Sequence, residues 1–344
     1  MARKKSKGKS RRSKKVEPMN TTLRFPNQTV PAAGTKTVYV DMMQCASILN
    51  RKFLRQGLNV AVSGIKVLSS TGVVTSRAEG SIIVSKLPTT WVMANAWVKA
   101  LAVWQEMQDR AIDDAGMESI KGRYLDFKLY ADATHHQAGY AANLLPVAGG
   151  SAIPATAGEW TPSTVDIPAS DSSSLTSFEL IAVGPNMPGV GASGYNAKSV
   201  IQGYADGRAL PYTQDPNVPV DASLNWMAAV FNEGTLQANA VIGDLEVNGD
   251  QPPYPFEGDG LNIDTMYPGG ETQLPSLQYH ALEYITSSTI GGTTRFRGGQ
   301  FPCGLVRLDI FNTNPDDSMD VAIEIELVPG HHRGLLAEPM QEMN

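Results

Sequence analysis

Val321-Ala322-Ile323-Glu324-Ile325-Glu326-Leu327 repeats with a period of two: four aliphatic side chains alternate with Ala322, Glu324 and Glu326. Only an extended strand sends successive side chains to opposite faces, so this stretch reads as a strand with one buried and one polar face. The same rhythm recurs upstream, where Val306, Leu308 and Ile310 alternate with Arg307 and Asp309. Residues 35–41, 58–68 and 81–87 read as three more strands, the last stopped by Pro88. Further strands are expected at 178–183, 224–231, 236–247 and 277–287, with a turn at Asn232-Glu233-Gly234. Leu125, Phe127 and Leu129 also alternate with polar neighbours.

One segment breaks this pattern. Trp97, Leu101, Trp104, Met107, Ala111 and Ala115 recur at spacings of three and four, which predicts a helix over 95–115. Gly116 is its natural stop. A single amphipathic helix laid on a sheet explains the tryptophan stripe. Between the strands, Gly/Pro/Ser-rich stretches at 146–176, 184–222 and 248–276 read as long loops, as does the uncharged stretch 133–158. Loops of that length suit a chain that packs against neighbouring subunits. The expectation is an all-β sandwich with long loops and one long helix.

Charge divides the chain in two. The first fifteen residues hold nine cations: Arg3, Lys4, Lys5, Lys7, Lys9, Arg11, Arg12, Lys14 and Lys15. The whole chain has 28 Lys+Arg against 34 Asp+Glu, so residues 16–344 keep 19 cations and carry −15. Residues 1–20 cannot bury anything and are expected to be a disordered arm, with 21–34 as an extended linker and 35–344 as the folded body. Such an arm grips a polyanion. It has no Phe, Tyr or Trp, so base stacking is absent there and its binding should depend on charge alone. The same dense charge suits a nuclear import receptor. No apolar segment follows the arm as in a secretory signal, and no run of eighteen apolar residues predicts a membrane span. Two cysteines, Cys45 and Cys303, do not make a disulfide framework.

Chemical motifs are weak. Gly189-Val190-Gly191-Ala192-Ser193-Gly194 matches a dinucleotide-binding glycine pattern, but Gly184, Pro185 and Pro188 separate it from the preceding strand. No repeated strand–helix unit surrounds it, so it reads as a flexible loop. His135 and His136 are adjacent and point apart on a strand, with no zinc-ligand spacing around them. No catalytic constellation, metal site or cofactor is expected.

Several strings resemble capsid proteins of circular Rep-encoding single-stranded DNA viruses, of the unclassified or smacovirus-like kind. They are Leu87-Pro88-Thr89-Thr90-Trp91, the Trp-rich helix, Arg123-Tyr124-Leu125-Asp126-Phe127-Lys128 and Leu327-Val328-Pro329-Gly330-His331-His332-Arg333-Gly334. They cover the N-terminal arm, roughly 85–145 and roughly 300–344, and the middle of the chain is less recognisable. The resemblance implies a viral jelly roll with an inserted helix, self-assembly into an icosahedral virion, and packaging of single-stranded DNA by the arm. It also implies assembly in the host nucleus. RNA would satisfy the arm's charge equally. Two other readings were weighed. One is a cellular nucleic-acid-binding protein with a basic tail and a β-sandwich interaction domain. The other is a glycan-active β-sandwich enzyme using Trp160, Trp226 and Tyr254.

Overall fold

A computed structural model describes residues 18–71, 77–117, 126–147, 153–168, 175–209, 227, 276–286 and 292–343. In chain order its strands are β1 (Thr22–Arg24), β2 (Gln28–Val30), β3 (Thr35–Asp41), β4 (Leu58–Thr71), β5 (Gly80–Lys86), β6 (Thr164–Pro168), β7 (Leu175–Ile181) and β8 (Asn196–Ser199). Then follow β9 (Gln278–Ile285), β10 (Thr293–Phe301), β11 (Leu305–Asn312), β12 (Met319–Leu327), β13 (Pro329–Gly330), β14 (Gly334–Leu335) and β15 (Ala337–Pro339). The two longer helices of the first half are α1 (Met42–Asn50) and α2 (Trp91–Asp114). The chain is mostly β, and its two larger sheets are antiparallel.

Those sheets are built from nested pairs. β3 pairs with β11, β4 with β10, and β5 with β9, while β11 also pairs with β5. One sheet therefore runs β3-β11-β5-β9, and the other runs β1-β12-β4-β10. β2 joins the second sheet on β12, and β15 joins it on β4. Both sheets close on one core, to which β12 gives Met319, Val321, Ile323, Ile325 and Leu327, all at most 2% exposed. Each such side chain contributes about 1.5–3 kcal/mol on burial. A one-residue slip would put Glu324 and Glu326 inside instead, so the alternation fixes the register.

β4 carries two alternations out of phase. Val60 and Val62 point inward, then Ile65 and Val67 do, and the change falls at Ser63-Gly64. The pairing with β12 skips there, from Gly64↔Glu326 to Val62↔Leu327, which is a bulge that turns the strand over.

Helix α2 starts at Trp91, four residues before the expected boundary, because Thr90 caps it with a bond from the Met93 N–H. It ends where expected: Gly116 takes φ +66 and its N–H bonds Asp113 O. Its buried face holds Trp97, Ala100, Trp104 and Ile112, whereas Ala111 and Ala115 are exposed. A second core joins this face to Phe127, Phe178, Leu180 and the helix Val200–Ala209.

Other expectations need correction. Residues 21–34, read as a linker, are extended but paired, since β1 and β2 lie on β12. The stretch 133–158 is not all loop: Ala133–Ala138 is a short helix capped by Asp132, so His135 and His136 sit on a helical turn and not on a strand. The loops expected at 146–176 and 184–222 contain β6, β8 and the helix Val200–Ala209. β7 and β8 pair in parallel, a geometry that period-two reading of single strands cannot reveal. The strands expected at 224–231 and 236–247 and the loop at 248–276 lie outside the described residues, Met227 excepted.

Candidate nucleic-acid interface

The nine arm cations, Arg3, Lys4, Lys5, Lys7, Lys9, Arg11, Arg12, Lys14 and Lys15, lie outside the described residues. Residues 18–21, where the chain enters the body, are tied to it by packing and hydrogen bonds. Met19 packs on the inter-sheet core. The Asn50 side chain accepts a bond from the Asn20 N–H at 2.7 Å and donates to Asn20 O at 3.1 Å. The Lys52 ammonium reaches Pro18 O at 3.5 Å. The Leu327 N–H then bonds Thr21 O at 2.9 Å, and β1 begins. The arm is thus rooted at the C-terminal end of α1, beside the second sheet.

That end of the body is basic, against the acidic trend of the rest. Two segments meet there. One is Arg51-Lys52-Phe53-Leu54-Arg55, between α1 and β4, and the other is His331-His332-Arg333, in the turn between β13 and β14. The Arg333 Nη1 donates to Phe53 O at 2.5 Å, and Lys52 Nζ donates to Arg333 O at 3.4 Å. Arg51 and Arg333 both occupy the left-handed region, with φ 50 and φ 53. For Arg51 this closes α1, its N–H bonding Ser47 O. For Arg333 it is a departure that a side chain with a Cβ rarely makes, and the turn maintains it.

Between the segments lies a cleft of about 430 Å³, a size that suits a small organic ligand. Arg55, Arg333 and Phe53 form its mouth, and all three are exposed, Phe53 at 49%. Its inner wall is Trp97, Leu101 and Phe127, the two aromatic rings meeting edge to face at 5.8 Å. Gln105 and Gln341 supply amides. Among the described residues no Asp or Glu lines it. Gly57 makes the wall possible: a Cβ there would stand 2.3 Å from Trp97 Cζ2. Burial, aided by the charge of Arg333, pushes the His332 imidazole pKa down.

Behind the cleft a buried polar network joins α1 to the end of β3. Asp41 caps α1 and accepts four bonds, from Met43 N (2.9 Å), Gln44 N (3.1 Å), Gln56 Nε2 (3.0 Å) and Trp160 Nε1 (2.9 Å). Burial raises its pKa against those donors. Gln56 also donates to Tyr140 Oη and accepts from Leu129 N. His135 accepts the Ala131 N–H at Nδ1 and donates from Nε2 to Asn143 Oδ1 at 2.7 Å, so it is the neutral Nε2–H tautomer. Its ring stacks on Tyr39 at 4.4 Å, and burial pushes its pKa down to about 4. His136 faces Glu179 at 2.8 Å, both buried.

Chemically this network positions; it offers no reactive group to solvent. Burial pushes both the Cys45 and Cys303 thiols up, opposite to the shift that activates a nucleophile. Trp160, a candidate glycan platform, is 9% exposed and its indole is committed to Asp41, while Trp226 and Tyr254 lie outside the described residues. Gly191 packs on His136, where a Cβ would come within 2.4 Å of Nε2, so this glycine serves close packing. Among the described residues no group of three or more His, Cys, Asp and Glu could hold a metal ion, and no helix is long and apolar enough to cross a membrane.

The comparisons find no match to this chain among protein-family models, curated proteins or solved structures. The basic cleft was missed in the sequence, although its signal was there: three cations around Phe53 within five residues. A short basic run with an interleaved aromatic is what a nucleic-acid surface requires.

Proposed function

We propose that this chain is the coat protein of an icosahedral virus, which assembles into a closed shell and packages single-stranded DNA with its N-terminal arm. The observation that carries the reading is the separation of charge: nine cations in fifteen residues, attached to a body of −15. A polycation on a rigid acidic body neutralises phosphates while the bodies keep the genome off their other faces. The arm's root on the basic end of the body supports this, because it directs both toward one side.

The nested strand pairs support a jelly roll. Such a roll is a long hairpin wound on itself, with first strand paired to eighth, second to seventh and third to sixth. β3, β4, β5, β9, β10 and β11 pair in that manner, and the order β3-β11-β5-β9 is that of one complete sheet of a roll. The fourth and fifth strands would come from between β5 and β9, where the strands expected at 224–231 and 236–247 fall. α2 would then be an insertion on the roll's flank. The choice of DNA rests on the resemblance of the strings within 85–145 and 300–344 to coat proteins of circular single-stranded DNA viruses, and the virion and nuclear location rest there too.

Deletion of residues 2–15 tests the reading. Full-length protein should bind single strands with a log-affinity slope against log salt of about −6 if all nine cations engage. The deletion should lose packaging and most of that slope while the body stays folded. Deleted particles that still hold full-length DNA would refute it.

A further inference from the structure

The arm neutralises phosphates, but it has nothing that stacks on a base. The cleft at its root has both functions. We propose that the cleft between Arg51–Arg55 and His331–Arg333 is a nucleotide-binding site of the body: one base of the packaged strand stacks on Phe53 and enters toward Trp97, while Arg55 and Arg333 hold its flanking phosphates. This rests on the nucleic-acid reading of the chain but not on shell formation.

Four observations carry it. First, among the described residues no carboxylate lines the cleft, on a body that is otherwise strongly acidic, as an anion requires. Second, Phe53 is a large aromatic left 49% exposed between Lys52 and Arg55, with the Trp160 ring tilted against it at 59° and 6.4 Å between centroids. A half-exposed ring backed by a second ring is a stacking platform, worth about 1–3 kcal/mol per base. Third, Arg333 is aimed by its own bond to Phe53 O, at the cost of a left-handed backbone. That bond uses one of the five guanidinium donors, and phosphate can accept from the others. Fourth, Pro18 lies against Lys52, so a strand gripped by the arm is delivered to the mouth of the cleft. Gln105 and Gln341 each offer a donor and an acceptor, which any base edge can use. The site should therefore tolerate every base.

Photocrosslinking of the full-length protein to a single-stranded oligonucleotide carrying 5-bromodeoxyuridine tests this, with the adduct located by mass spectrometry. The expected adduct falls on the peptide that holds Phe53. Phe53→Leu should abolish it and weaken binding of a dodecathymidine at least fivefold, while leaving binding of inorganic polyphosphate, which has no bases, unchanged. Arg55→Gln with Arg333→Gln should flatten the salt slope by about 1.4. All three positions are exposed, so these variants should fold. Adducts confined to residues 1–17, or a Phe53→Leu protein that binds both polymers as the parent does or loses both equally, would overturn the proposal. A Phe53 adduct on protein that never forms particles would sustain the cleft and overturn the shell.

Discussion

Asp41→Asn isolates the part of the buried network that holds α1, and with it the Arg51–Arg55 segment, against the end of β3. Asn caps helices about as well as Asp, so the bonds from the Met43 and Gln44 N–H groups to Oδ1 survive. The other oxygen becomes an NH2 facing two donors, Gln56 Nε2 and Trp160 Nε1. Gln56 cannot turn over to accept, because its Oε1 already holds the Leu129 N–H at 2.8 Å and its Nε2 donates to Tyr140. Each buried donor left without a partner costs about 1–3 kcal/mol, so the substitution should cost about 4 kcal/mol. Urea unfolding at one protein concentration measures it as a fall in midpoint at unchanged slope. Trp160→Phe removes one of the two donors in advance. In its background the Asn substitution should cost about 1–3 kcal/mol less, and that difference is the coupling. A cost below about 1 kcal/mol, or strictly additive variants, would refute the claim that Asp41 accepts all four of these bonds.

Acid should weaken the fold through His135. Its imidazole takes a proton only near pH 4 in the folded chain, because burial disfavours the cation, while the unfolded chain takes one near the ordinary 6.5. Stability is therefore complete above pH 6.5 and falls by about 3 kcal/mol toward pH 4, and nuclear magnetic resonance of the imidazole should show it neutral down to that range. Gly57→Ala should displace Trp97, since the new Cβ would lie 2.3 Å from its ring, costing about 1–3 kcal/mol in thermal unfolding and changing the indole fluorescence. Ile323→Ala, in the centre of β12 and 2% exposed, should cost about 2–5 kcal/mol in the same assay. If it costs under 1 kcal/mol, β12 is not in the core.

What could be read in advance follows a physical division. β5, β11 and β12 announce themselves because each buries one face against a common core, and burial of alternate residues leaves a period of two, whereas β3 buries Val38, Tyr39, Val40 and Asp41 in succession. β4 hid its bulge in plain view: Val60 and Val62 against Ile65 and Val67 is a change of phase across Ser63-Gly64. α1 left no such mark. Met42, Met43, Cys45 and Ala46 are all buried, so the helix has no polar stripe, and its start signal, Asp41, is also the end of a strand. β8 and the helix Val200–Ala209 follow a glycine-rich stretch and take their place from β7 and α2, which no local pattern encodes. The cations of the arm can be counted in the sequence. Of the cleft only the Arg51–Arg55 run can be read there, because its other wall lies 280 residues away and is joined through the Arg333 to Phe53 bond.

The central claim is a shell that encloses nucleic acid. It is met most directly by electron microscopy of purified full-length protein after nuclease treatment, with the absorbance ratio taken on the same fraction. The account predicts closed particles of one size that retain protected nucleic acid. Small soluble species at every salt and pH, with no protected nucleic acid, would contradict it.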